Sequence, residues 1–375
     1  MAEVQASTGQ AGQGIPVKAP IFWVAQKAFK KAIPFTAVCE LTYRCNFRCT
    51  MCYVIHENTK GELSTEEWFS VFDQLADLGT MYLELTGGEI FVRRDIWDII
   101  EYATRKKFLM HLFTNASYLN EERVERLKQF KNVMGFSVSL YGGDKETFDK
   151  VTHVKGAYEK VERALHILKE HGMKVKTKTP VTVENVATVQ SMREMAKGAL
   201  CASYQCAPLI TPRDDGNTDP TKDRLPDETM REILRVEPSE KYQARRVSWD
   251  SPTCAAGRNL IAVSPMGDIS PCIEFTQKVG NARERPIAEL WHSETLDYVR
   301  DFTYGSMHKC QSCSVTQYCS PCIGLNQQET RDIHSPSSET CRIATLTAET
   351  HRQRRRLKVV AARPAQVELS HCSLS

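Results

Sequence analysis

Cys45, Cys49 and Cys52 fall within "CNFRCTMC", at intervals of four and then three residues. A closed structural metal site takes four ligands. Three thiols with no fourth close by leave one coordination position open, which points to a metal cluster able to accept an outside ligand. A second set lies toward the C-terminal end, among Gly, Ser and Pro: Cys254, Cys272, Cys310, Cys313, Cys319, Cys322 and Cys341. The chain has 14 cysteines in 375 residues. That is many for the reducing cytoplasm expected here, and metal binding explains them better than disulfides.

Such residues need a frame to hold them. From Phe35 to about Pro208, strand-like and helix-like segments alternate. Ser64 and Glu67 form a capping box ahead of Trp68, Val71, Phe72, Leu75 and Leu78, which share one helical face before Gly79. Strand patterns recur at "FTAVCEL", "MYLELTGG", "FLMHLFTN", "NVMGFSVSLYGG", "MKVKTKTPV" and "CASYQCAPLI". Strands alternating with helices imply a parallel sheet covered by helices. A complete eight-unit barrel takes about 250 residues, and these units occupy only about 175. The expected fold class is therefore α/β, a partial (β/α)6 TIM-like barrel followed by a loop-rich domain. The expected division is 1–34, a disordered start and lead-in helix; 35–210, the barrel; 211–250, a linker with a short helix; 251–345, a cysteine-rich domain; and 346–375, a C-terminal helix and basic tail.

Composition removes several function classes. A net charge of +3 gives no global field for nucleic acid. With 41% hydrophobic and 25% charged residues, the chain reads as globular, and no apolar run reaches the length of a membrane span. The first fifteen residues lack a secretory pattern and are expected to be disordered. The basic, amphipathic "IFWVAQKAFKKAIPF" reads as a helix under the barrel floor, and "HRQRRRLK" as a solvated helix end. Cys201 and Cys206 flank the sixth strand and read as packing residues.

The CxxxCxxC loop after the first strand, followed by "TGGE" after the second, resembles the radical S-adenosylmethionine (radical SAM) family. The resemblance implies a 4Fe–4S cluster on Cys45, Cys49 and Cys52, with S-adenosylmethionine (SAM) bound at its open iron. It implies reductive cleavage of SAM to a 5′-deoxyadenosyl radical that abstracts a hydrogen atom from substrate. By the same resemblance Gly87, Gly88 and Glu89 hold the SAM ammonium, Tyr53 and Met51 lie near the cofactor, and Ser139 reaches its ribose. Thr114 and Asn115 end the third strand at the same barrel face. A three-ligand zinc site, or inert buried thiols, would not need "GGE" at that place. Where many relatives carry an arginine for the SAM carboxylate, this chain has Thr152. Lys176 and Lys178, two apart and so on one strand face, are alternative partners, and a solvated strand edge would explain them equally well.

The later cysteines resemble the SPASM domain, an auxiliary-cluster module of one radical SAM branch. Carried over, Cys310, Cys313, Cys319 and Cys341 would hold one auxiliary iron–sulfur cluster, and Cys254, Cys272 and Cys322 another. Two features depart from the pattern. Only two residues separate Cys319 from Cys322, and "CAAGRNLIAVSPMGDISPC" offers no fourth ligand for the second group. Zinc is the competing metal, but the gap between the CxxC pairs is short for a zinc ribbon.

Substrates of this branch are mostly peptides or proteins, and an open barrel lets a segment thread into the gap. The expected function is maturation of a ribosomally made peptide by crosslinking or oxidation. Expected partners are the peptide or protein substrate, an electron donor such as flavodoxin or ferredoxin, and a separate leader-peptide-binding protein, because only about 35 residues precede the first strand. No nucleic acid or membrane span is expected. The alternatives are a radical SAM enzyme acting on a tetrapyrrole or other small molecule, and a non-catalytic iron–sulfur or zinc scaffold. No catalytic acid or base is legible.

Overall fold

A computed structural model describes residues 20–57, 59–199, 203–236, 244 and 246–361. The first fifteen residues, Cys201 and the basic side chains beyond Arg354 lie outside it.

Six parallel strands alternate with helices: β1 (Thr36–Thr42), β2 (Tyr82–Gly87), β3 (Leu109–Thr114), β4 (Val133–Ser139), β5 (Val175–Pro180) and β6 (Ser203–Ala207). Helix α1 (Pro20–Lys30) leads in, and α2 (Thr65–Asp77), α3 (Ile96–Arg105), α4 (Glu121–Lys128), α5 (Lys145–Thr152), α6 (Ala157–Glu170) and α7 (Val189–Gly198) connect the strands. The Ser64–Glu67 capping box starts α2, which buries Trp68, Val71, Phe72 and Leu75. Those side chains share one core with Leu83, Leu85, Leu112, Phe136, Val138 and Val175 of the sheet. The alternate strand positions therefore point away from the helices, to the inner face. Glu40, Glu84, His111, Phe113, Ser137, Ser139, Lys176 and Lys178 occupy it.

The sheet does not close. Its order is β6-β5-β4-β3-β2-β1-β7-β8-β9, with β7 (Leu260–Val263), β8 (Asp268–Ser270) and β9 (Gly280–Asn281) continuing it beyond β1. The loop-rich, cysteine-bearing region contributes these short strands: β7 pairs parallel to β1, and β8 and β9 follow as an antiparallel ribbon. Strands this short leave too few residues for a period to show. All seven residues of β1 are buried, because both of its edges and both of its faces are covered.

Within the 211–250 stretch lies α8 (Asp227–Val236). After β9 come α9 (Ile287–Trp291), α10 (Glu294–Arg300), α11 (His308–Gln311), α12 (Ile323–Thr330) and the long α13 (Ser338–Ala361). Arg231 of α8 bonds Glu349 at 3.0 Å, and Arg342 of α13 bonds Asp227 at 2.7 Å, tying the 211–250 stretch to the C-terminal helix. At the N-terminal ends of β1 and β7, Asn259 Nδ2 donates to the Ala25 carbonyl and Arg258 lies over the Phe29 ring, so α1 does cover the floor. Among the described residues no helix is long and apolar enough to cross a membrane.

Candidate metal centre

The loop carrying Cys45, Cys49 and Cys52 leaves the C-terminal end of β1 and is strapped down on two sides. On one side Glu62 accepts from the Tyr43 N–H at 2.8 Å and the Thr42 hydroxyl at 2.9 Å. There the Gly88 N–H also donates to the Thr42 carbonyl (2.7 Å) and the Glu89 N–H to that of Arg44 (2.9 Å). A Cβ on Gly88 would lie 2.3 Å from the Arg44 carbonyl oxygen, and one on Gly87 2.4 Å from that of Thr42. Only glycines let the two backbones approach this closely, and Gly87 also has φ +118°. On the other side the Arg48 and Thr50 N–H groups donate to the Thr152 and Val151 carbonyls at the end of α5.

All three thiols are unbridged and half-buried. Burial pushes each one up, Cys52 to about 12, and Cys49 is raised further by the nearness of Cys52 and Cys45. A donor already lies beside two of the sulfurs: Asn115 Nδ2 is 3.7 Å from Cys45 Sγ, and the Tyr141 hydroxyl, near Cys49, pulls that thiol down against its burial. Three clustered thiols with donors aimed at them, in a poorly solvated pocket, fit a cationic cluster that would deprotonate them outright. Tyr141 was not singled out from sequence. Its place two residues after Ser139, just past the end of β4, is a signal that could have found it.

Glu89 is fully buried. Its Oε1 accepts from the Phe91 N–H (3.0 Å), its Oε2 from the Asn115 N–H (2.7 Å), and the Thr114 hydroxyl lies 2.8 Å from each. Burial pushes this carboxyl up to about 7, while the same donors pull it down. Glu89 thus binds the ends of β2 and β3 together beside the cysteine loop. Ser139 lies near the Tyr141 hydroxyl, which in turn lies near Cys49. Met51 packs with Val151, Ile210, Cys49 and Tyr141. Thr152 is buried with its hydroxyl on the Phe148 carbonyl at 2.9 Å. Lys176 and Lys178 are not on an edge, because β5 lies between β4 and β6.

Tyr53 donates to Glu40 Oε1 at 2.9 Å, under the same loop. Glu40 is pushed up first by burial and then by Glu274, and Asp214 first by burial and then by Glu40 and Glu274. Three carboxylates from β1, the 211–250 stretch and the segment after Cys272 therefore converge between the two cysteine regions. Sequence reading missed all three, since it takes the pairing of β7 with β1 and the bond from the Asp214 N–H to the Tyr53 carbonyl (3.2 Å) to bring them together.

Six of the remaining described thiols fall into two groups. Cys272 is raised by burial and then by Cys322 and Cys254. Cys310 is raised by burial and then by Cys341 and Cys313. Gly324 fixes the first group, since a Cβ there would lie 2.7 Å from that of Glu274. That contact presses the turn after Cys322, the N-cap of α12, onto the segment after Cys272. Cys254, Cys272 and Cys310 pack against a small apolar core that includes Phe275, Phe302, Tyr304 and Ile323. Zinc would draw its ligands to one point, whereas a cluster spreads them over separate irons. Among the described residues no group of three or more His, Cys, Asp or Glu is set to hold a single ion.

Comparison with known proteins bears on both cysteine regions. Residues 39–197 match the Radical SAM superfamily, and residues 254–314 match the SPASM iron–sulfur cluster-binding domain. The antilisterial bacteriocin subtilosin biosynthesis protein AlbA of Bacillus subtilis is 27% identical over 305 residues, 78% of this chain and 64% of its own length. An AdoMet-dependent heme synthase of Methanosarcina barkeri is 25% identical over 313 residues, 76% of this chain and 89% of its own. In fold, the chain resembles Streptococcus suis SuiB bound to the precursor peptide SuiA, with a TM-score of 0.65 at 18% identity, covering 85% of this chain and 79% of that one.

Proposed function

We propose that this chain, a radical SAM protein with a C-terminal SPASM domain, modifies a ribosomally made peptide by hydrogen abstraction. The observation that carries the proposal is the three-thiol loop at the C-terminal end of β1, strapped by Gly87-Gly88-Glu89. When bound, the cluster and SAM supply a reducing electron and a 5′-deoxyadenosyl radical.

The chain's own residues do the rest. Cys45, Cys49 and Cys52 hold the cluster, with Asn115 and Tyr141 donating to two of the sulfurs. Gly87, Gly88 and Glu89 shape the bed for the SAM ammonium, Ser139 and Asn115 line it, and Tyr53 fixes Glu40 beside it. Cys254, Cys272 and Cys322 hold one auxiliary cluster. Cys310, Cys313, Cys319 and Cys341 hold the other. A one-electron donor of the flavodoxin or ferredoxin kind, and a separate leader-peptide-binding protein, complete the system.

The open sheet and the similarity to a bacteriocin biosynthesis protein support a peptide substrate. Similarity to a heme synthase supports a second reading, a tetrapyrrole substrate. The test is deuterium transfer. Reconstituted protein, dithionite and SAM are incubated with a perdeuterated short peptide encoded beside this chain's reading frame, or with a deuterated iron porphyrin. Deuterium in 5′-deoxyadenosine from the peptide alone supports the first reading. Transfer from the porphyrin alone replaces it with the second.

A further inference from the structure

Helix α1 buries only part of its surface against the floor of the barrel. Pro20, Trp23, Val24, Lys27, Lys30 and Lys31 are all exposed, and their spacing is that of one helical face. Trp23 is 62% exposed and Val24 45%, unusual for an aromatic and a branched aliphatic side chain. The outward face is therefore apolar toward its N-terminal end and cationic toward its C-terminal end.

The loops that enter the next strands continue this floor. The Met81 N–H donates to the Phe35 carbonyl, and the Leu109 N–H to that of Met81. The Met110 N–H donates to the Asn132 carbonyl, and the Phe136 N–H to that of Lys174. Lys107, Lys131 and Lys174 are exposed along this row, with Met81 and Met134 also exposed among them. These three lysines lie past the ends of α3, α4 and α6. A helix dipole acts within the last turn, so complementing it does not account for them. Nearby Arg105, Lys106 and Lys128 pair with Glu101, Asp73 and Glu125. Among the described residues, Lys30, Lys31, Lys107, Lys131 and Lys174 have no such partner. The exposed carboxylates at these helix ends are Asp77 of α2 and Glu170 of α6.

We propose that this floor, led by the outward face of α1, rests on an anionic membrane surface. Every unpaired cation named in the row is a lysine, a compact and strongly hydrated charge without the fork that fixes one carboxylate or phosphate. Protein interfaces are depleted in lysine and enriched in arginine. Lysines spread over a layer of anionic headgroups need no fixed partner, and their attractions add. Trp23 and Val24 supply the apolar body that enters the headgroup layer while the lysines stay in water. The Cys45 loop, at the C-terminal end of β1, stays free on the opposite side of the barrel. The inference does not depend on the reaction proposed above.

Vesicle co-sedimentation of the full reconstituted chain tests it. The vesicles are phosphatidylcholine alone, or phosphatidylcholine with about one third phosphatidylglycerol. Wild type should bind the anionic vesicles only, and should be released as salt is raised. Lys107→Gln/Lys131→Gln/Lys174→Gln should weaken binding by about fivefold per lysine, roughly a hundredfold in all. Trp23→Ser/Val24→Ser should weaken it by about tenfold or more. Lys60→Gln/Lys155→Gln/Lys160→Gln removes the same charge toward the barrel mouth and should bind as wild type does. An equal loss in that control would reduce the effect to net charge and overturn the proposal. Wild type that ignores anionic vesicles overturns it too. Sedimentation velocity then shows whether a second copy covers the face, as a dimer that Trp23→Ser/Val24→Ser dissolves. A pull-down on polyglutamate shows whether an acidic protein does.

Discussion

Three donors of its own chain surround the Glu89 carboxylate: the Phe91 and Asn115 N–H groups and the Thr114 hydroxyl. Replacing it with glutamine turns an amide NH2 toward one of the two backbone N–H groups. Leaving that donor unsatisfied in a buried place costs about 1–3 kcal/mol. Glu89→Gln should therefore lower the urea midpoint of the cluster-free protein and weaken SAM binding together. Unchanged stability would remove Glu89 from the strap. Glu40 and Asp214 give a pH signature. Both are raised by burial and by other carboxylates, so their contribution to stability is present in full below the unfolded value. It is lost as pH climbs through the raised folded values. Stability of the cluster-free protein should fall from about pH 4 toward about pH 9, and Glu40→Gln should flatten the fall. Parallel curves for the two proteins would contradict the clustering of these carboxylates. None of this was legible from residue types alone, because a lone Glu or Asp in a strand or linker reads as solvent-facing.

At the scale of elements, what could be read were those with a long period or a fixed local chemistry. The α2 capping box and its apolar stripe stand as expected, and six parallel strands follow the alternating pattern. Strands β7, β8 and β9 could not be read, since their pairing is set by the edge β1 leaves open and not by local pattern. The glycine pair after β2 shows a further limit. Its motif resemblance assigns it to a ligand, yet the close approach of two backbones already requires both residues. Gly88→Ala would place a Cβ against the Arg44 carbonyl and displace the cysteine loop. Reconstituted Gly88→Ala should then bind about four fewer irons per chain than wild type. The control is Gly61→Ala, where φ is +82° but no atom lies within 4 Å, and it should keep its iron at a cost of about 1 kcal/mol. Full iron in Gly88→Ala would show that the loop tolerates the displacement.

Over the whole molecule, one sheet carries both cysteine regions. Because β8 runs antiparallel to β7, Cys272 falls level with Leu260 and Thr36, at the other end of β1 from the Cys45 loop, and Glu40, Asp214 and Glu274 influence one another between the two regions. Cys272 has Cys322 and Cys254 as electrostatic neighbours, and Cys310 has Cys341 and Cys313. Cys254, Cys272 and Cys322 offer only three ligands, so we propose that a cluster on them would keep an open iron for substrate. Cys322→Ala should therefore spare SAM cleavage yet abolish or divert product, with Cys319→Ala as the matched control and folding checked in both. Full product at wild-type rates from a folded Cys322→Ala lacking its cluster would remove that cluster from turnover. The central claim is that Cys45, Cys49 and Cys52 hold a cluster that cleaves SAM. Its most direct test is quantifying 5′-deoxyadenosine from anaerobically reconstituted protein with SAM and dithionite, beside the triple Cys45→Ala/Cys49→Ala/Cys52→Ala variant. The account predicts slow release from wild type even without substrate and none from the variant. Iron-loaded wild type that releases none, or a variant that releases as much, would contradict it.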